Sequence, residues 1–136
     1  MDRLFLDANV LFSAAYNPTS PLLVLWELKK ALLFSSSHAV HEARKNLAAL
    51  RPDRVDILET LIAKLFLVDS PPGAPAPPEA ASLPAKDVPI LLAAMEAGAS
   101  HLLTVDKKHF GLLYGQAVAR TLVLTPGAYL RSLRNT

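Results

Sequence analysis

The chain has 136 residues, 51% of them apolar and 19% charged, with a formal net charge of +2 and no cysteine. That is enough to bury the core of one ordinary domain, 1–136, and it excludes a disulfide framework, a thiolate metal site and a cysteine nucleophile. The mild charge neither demands nor excludes a nucleic-acid partner, no run reaches the roughly 18–20 apolar residues of a membrane span, and Met1-Asp2-Arg3-Leu4 lacks the order of a signal peptide, so the expectation is a cytoplasmic protein with no membrane role.

Arg3-Leu4-Phe5-Leu6-Asp7 reads as a short buried strand ending in a carboxylate, followed by one or two helical turns over Ala8 to Ala15. After the break Asn17-Pro18-Thr19, Ser20 reads as an N-cap and Pro21 as the first residue of a helix to about Leu32. Leu33-Phe34-Ser35-Ser36 is a second strand, and Ser37 caps a helix over His38 to Leu50. Pro52 starts another helix, about Asp53 to Lys64, and Leu65-Phe66-Leu67-Val68 is a third strand. The proline-rich stretch 69–84 is excluded from helix and central strand and reads as a stiff surface loop, first as a connector and second as a recognition segment.

Asp87 to Ala97 is apolar nearly all round, which marks a buried helix, with Gly98 ending it. His101 to Asp106 is a strand that again ends in a carboxylate; Thr121 to Leu124 is the last strand, and Pro126 opens a C-terminal helix to about Leu133. Strands separated by helices, without hairpin signals, predict an α/β fold with a mainly parallel central sheet and helices on both faces.

The carboxylates carry the chemistry. Ligands bind an open parallel sheet beyond the carboxyl ends of its strands, at the point where strand order reverses. If the strands ending in Asp7 and Asp106 are neighbours, about 4.8 Å apart, their carboxylates sit side by side. Two such charges need a counter-charge, and a hard divalent cation with oxygen ligands supplies one. Asp87, two residues before Pro89, heads the buried helix, where it reads either as a third ligand or as an ordinary helix cap. Glu42 lies roughly 120° from the centre of its helix's apolar stripe of Val40, Ala43, Leu47 and Leu50. Periodicity alone does not favour it over Glu27 or Glu59.

Lys107, Lys108 and His109 follow Asp106 and read equally as phosphate contacts at the rim of a pocket or as a solvated turn. Arg44, Lys45, Arg51 and Arg54 read first as a solvated helix face and second as a basic surface. Phe110 and Tyr114 read first as core and second as base-stacking groups. A zinc hydrolase built on His38, His41 and Glu42 is disfavoured, because helical zinc pairs sit at i and i+4 and these histidines are at i and i+3. A phosphotransfer receiver is disfavoured for want of a well-placed phosphoacceptor and lysine pair.

Four segments taken together resemble the motifs of PIN-domain nucleases: Leu6-Asp7-Ala8-Asn9-Val10-Leu11, Ser37-His38-Ala39-Val40-His41-Glu42, Asp87-Val88-Pro89-Ile90-Leu91 with Ala97-Gly98-Ala99, and Leu102-Leu103-Thr104-Val105-Asp106-Lys107-Lys108-His109-Phe110. The resemblance covers nearly the whole chain in the family's order. It implies a three-layer α/β/α sandwich with a central, mainly parallel sheet, and cleavage of RNA at an acidic site that binds Mg²⁺ or Mn²⁺. By position it makes Asp7, Asp87 and Asp106 metal-binding and catalytic carboxylates and Glu42 a fourth, with Asn9 and Thr104 as polar neighbours orienting the aspartates. Many bacterial members are toxins of toxin–antitoxin pairs and dimers are common, so an antitoxin and a second copy join RNA as expected partners. The chain departs from the family at Ala8, where a threonine or serine is usual, and in its proline-rich 70–84 loop. A PIN-like module that binds RNA or protein without cutting is the alternative that Ala8 leaves open.

Overall fold

The computed structural model describes residues 1–134. Six strands form one sheet among these residues: β1 (Asp2–Leu6), β2 (Ala31–Ser35), β3 (Phe66–Leu67), β4 (His101–Leu103), β5 (Ala117–Val118) and β6 (Thr121–Leu124). Their spatial order is β3-β2-β1-β4-β6-β5. The helices are α1 (Ala8–Tyr16), α2 (Ser37–Leu50), α3 (Val55–Ile62), α4 (Val88–Glu96), the single turn α5 (Lys107–Phe110) and α6 (Pro126–Arg134).

The first three strands step outward to β3, then the chain crosses back to place β4 on the other side of β1. Right-handed crossovers put the helices of these two legs on opposite faces of the sheet, giving the three-layer α/β/α sandwich. Burial follows: Leu4, Phe5 and Leu6 of the central strand are fully inaccessible, as in a strand covered on both faces. The reversal between β1 and β4 creates a switch point, and the register Leu6↔Leu103 brings the carboxyl ends of both strands level.

Helix α2 is held at its start by two devices. The Ser36 hydroxyl accepts from the Ala39 N–H (3.1 Å), and Asp69, from the loop after β3, accepts from the Ser37 N–H (2.9 Å) and hydroxyl (2.7 Å). The cap is therefore Ser36, one residue before the serine expected. Ala39, Val40, Ala43 and Leu47 enter the core, whereas Leu50 stays 65% exposed, because the helix outruns the layer it packs on.

Several boundaries differ from the sequence expectation, each because long-range pairing outweighs local propensity. The helix expected over Pro21 to Leu32 is a 3₁₀ turn, Pro21–Glu27. Trp26 fastens it to α3 through its indole N–H on the Leu61 carbonyl (3.1 Å), and Ala31 and Leu32 are claimed by pairing with Asp2 and Arg3. The β4 strand stops at Leu103, since the Val105 N–H turns to the Asn9 side chain. Asp7 is the N-cap of α1 instead of the last strand residue. The proline-rich stretch is a loop, as expected, until a 3₁₀ turn at Pro78–Ser82 sets Ala80 and Leu83 into the core.

The sheet is not wholly parallel. β5 pairs antiparallel with β6 through a two-residue hairpin turn at Ala119 and Arg120, whose φ angles are +48° and +74°. Neither residue type advertises such a turn, which favours Asn-Gly. At the edge opposite β5, the two-residue β3 leaves Phe66 and Leu67 about half exposed. No helix among the described residues is long and apolar enough to cross a membrane.

Candidate active site

The carboxyl ends of β1 and β4 are stitched by side chains. The Asp7 N–H donates to the Leu103 carbonyl (3.1 Å), and Asp7 Oδ1 accepts from the Ala8 N–H (2.7 Å). Asp7 Oδ2 accepts from the Thr104 hydroxyl (2.9 Å) and the Asn9 amide (3.2 Å). The Thr104 oxygen in turn accepts from the Asn9 amide (3.1 Å) and the Asp106 N–H (3.2 Å). Asn9 Oδ1 closes the network by accepting from the Val105 N–H (3.0 Å). Asn9 and Thr104, expected beside the aspartates, thus orient Asp7 and tie it to the segment that carries Asp106.

Asp7 is 5% exposed. Burial lifts its carboxyl from 3.8 to about 6; bonds from the Thr104 hydroxyl and the Ala8 N–H oppose the rise, and the charges of Glu42 and Asp87 add to it. Asp7, Glu42, Asp87 and Asp106 all line a cavity of about 500 Å³, with Asn9, Asn46 and Lys86 among the polar wall and Phe12, Leu50 and Val105 among the apolar wall.

Asp87 precedes α4, yet its side chain caps nothing there. Its carboxylate turns instead to His109, with Oδ2 2.9 Å from the ring Nδ1. The same Nδ1 lies 2.8 Å from Asp106 Oδ2, while Asp106 Oδ1 accepts from the His109 N–H (3.1 Å) and so caps α5. The approach of ring and carboxylates is close but not aligned for hydrogen bonding, so Asp87 Oδ2 and His109 Nδ1 stay buried without such a partner.

Buried polar atoms are rarely left in that state. One oxygen each from Asp87 and Asp106 and one His109 nitrogen lie within 4.8 Å of one another, a grouping that could hold a metal ion and that no other histidines or carboxylates match among the described residues. The donor set, rich in carboxylate oxygen, fits such an ion. His38 and His41 are exposed and take no part in it.

None of the three basic residues expected at the rim lines the cavity: Lys107 and Lys108 are exposed on α5, and the His109 ring lies against Asp87 and Asp106. Lys86 lines the cavity instead. Its only sequence signal is adjacency to Asp87. Phe110 is fully buried, and Tyr114 donates its hydroxyl to the Thr104 carbonyl (2.9 Å), so both serve packing around the site. Burial raises the Tyr114 hydroxyl above its ordinary value, with the charges of Asp106 and Asp7 adding to the effect.

No family model and no curated protein matches the chain. Among solved structures, it is similar to a chain of VapBC2 from Rickettsia felis bound to a DNA fragment from their promoter, at 16% identity and a TM-score of 0.67, over 90% of this chain and 98% of that one. The likeness shows the fold, which is the PIN-like α/β sandwich that the four motifs imply.

Proposed function

We propose that the protein is a metal-dependent ribonuclease. The observation that carries this reading is the convergence of Asp7, Glu42, Asp87 and Asp106 on one cavity at the switch point of the sheet, with Asp87 Oδ2 buried and without a hydrogen-bond partner. Asp7, Asp87 and Asp106 would hold Mg²⁺ or Mn²⁺, and Glu42 faces the same space as a fourth carboxylate. When bound, such an ion lowers the pKa of a coordinated water and neutralises charge on a scissile phosphate.

The chain's own groups do the rest. Asn9 and Thr104 hold Asp7 Oδ2 and the Ala8 N–H holds Oδ1, which sets the orientation of the carboxylate at the cavity wall. Neighbours of this kind govern ligand orientation and affinity. Ala8 supplies no hydroxyl, but its backbone N–H still donates to Asp7. Lys86 at the cavity wall balances the negative charge of a phosphate drawn to the site. The similarity to a component of VapBC2, an assembly that binds promoter DNA, supports the finer reading of a toxin that pairs with an antitoxin.

The test is cleavage of an RNA pool by purified protein with Mg²⁺ or Mn²⁺. We expect cleavage by the wild type and a loss of more than about hundredfold in Asp7→Asn, since removing a group that merely orients a ligand already costs about 10–100-fold. Wild-type protein that binds either ion yet cuts no RNA would sink the reading. RNA binding that persists in chelator without cleavage would favour the silent binding module.

A further inference from the structure

The acidic cavity continues into a smaller groove of about 310 Å³ whose walls carry His38, His41 and Lys45 from α2 and Lys86 from the segment before α4. Glu42, Asn46, Lys86 and Asp87 border both spaces, so the two form one continuous depression. The helix divides its residues between them. At 100° per residue, His38, His41 and Lys45 fall within about 60° of one another, while Glu42 and Asn46 lie to one side.

The cations near this groove are not equivalent. Arg44 is spent on Glu59 (2.6 and 2.8 Å), Arg51 on Asp53 (3.0 and 3.1 Å), and Arg54 on the Ala15 carbonyl (2.8 Å). Lys45 and Lys86 are exposed and, among the described residues, have no acidic partner. Both line the groove, which shares Glu42 and Asp87 with the acidic cavity. The stripe from His38 to Lys45 spans about 10 Å, the length of about two to three successive charges along one nucleic-acid strand.

Part of the cavity wall is apolar. Phe12, Leu50 and Val105 line it, and Leu50 and Val105 are 65% and 43% exposed. An apolar wall next to a charged track suits a strand whose bases are unstacked and turned outward, the form in which single-stranded RNA is bound.

We propose that single-stranded RNA reaches the carboxylates along this groove, with Lys45 and Lys86 clasping the phosphates next to the reacting one and a neighbouring base resting on Phe12, Leu50 and Val105. The proposal rests on the ribonuclease reading for its direction but names a binding track of its own. Lys107 and Lys108, next to Asp106 in the chain, lie outside it.

The experiment uses the full chain carrying Asp7→Asn, so that nothing is cut, and follows binding of a fluorescein-labelled 12-nucleotide single-stranded RNA by anisotropy across a salt series. Adding Lys45→Ala and Lys86→Ala should weaken binding about tenfold or more. The salt slope should become shallower by about 1.4, at about 0.7 for each phosphate no longer neutralised. The control is Lys29→Ala with Lys30→Ala, the same charge change just ahead of β2, at the opposite end of the sheet; it should stay within about twofold. Equal weakening by both pairs, or none by either, would overturn the groove. If the wild type fails to cleave this RNA with Mn²⁺ while the Lys45/Lys86 pair still weakens binding, the ribonuclease reading falls and the groove stands. If the wild type cleaves and the pair binds unchanged, the groove falls alone.

Discussion

Asp7 is the residue at which folding and function pull against each other. Its carboxyl is protonated in both folded and unfolded chains below about pH 4. Between about 4 and 6 the folded state holds the proton more tightly, so stability falls as pH rises; above about 6 the fold bears the full cost of the buried charge. A rise from 3.8 to about 6 corresponds to about 3 kcal/mol. In chelator, Asp7→Asn should therefore be more stable than the wild type at pH 7, by up to about 3 kcal/mol in urea unfolding, with the advantage gone at pH 4. A variant equally destabilised at both pH values would show that the burial cost is not what Asp7 contributes. The sequence exposes this residue because a charge after Leu4-Phe5-Leu6 needs a reason. Asp106 is legible in the same way. Asp87 and Glu42 are not, since their direction depends on where α4 and α2 cross the sheet; only the motif resemblance singles them out. The turn of His109 toward Asp87 and Asp106 is illegible for a further reason: the single-turn helix that aims it is too short for a periodic pattern.

Among the elements, the hairpin joining β5 to β6 is the one the chain forms against its local preference. Ala119 and Arg120 both sit in the left-handed region, which costs a non-glycine residue about 1–2 kcal/mol. They are held there by the pairing of Val118 with Thr121 and Ala117 with Leu122. Replacing the turn by Ala119→Asn with Arg120→Gly should raise the midpoint of thermal unfolding by roughly 3–8 °C, without moving metal or RNA binding. An unchanged or lowered midpoint would mean that the turn relaxes in solution. The same contest between local and distant forces explains the 3₁₀ turn at Pro21–Glu27, where helical spacing of Leu22, Leu25 and Trp26 gives way to the pairing of β2 with β1. Buried central strands and the apolar helix α4, by contrast, are read directly from composition, because their surroundings are uniform.

For the molecule as a whole, the proposed metal ligands come from positions 7, 87 and 106, so an ion at this site would tie the end of β1 to the segments on either side of β4. At about a hundred times its dissociation constant it would add about 2.7 kcal/mol at pH 7. That should appear as a rise of roughly 8–12 °C in thermal unfolding with Mn²⁺, and Asp106→Asn should abolish most of it. A shift that survives in that variant would place the ion elsewhere. The strand order carries one more consequence. β1 lies beside β4, nearly a hundred residues downstream, and Asp7 is oriented by Thr104. During synthesis, then, Asp7 and Glu42 emerge from the ribosome early but remain apart from their counterparts until β4 and Asp106 have followed. The cell that translates this protein meets an assembled acidic centre late, and on the ribonuclease reading the growing chain is inert toward the messenger that encodes it.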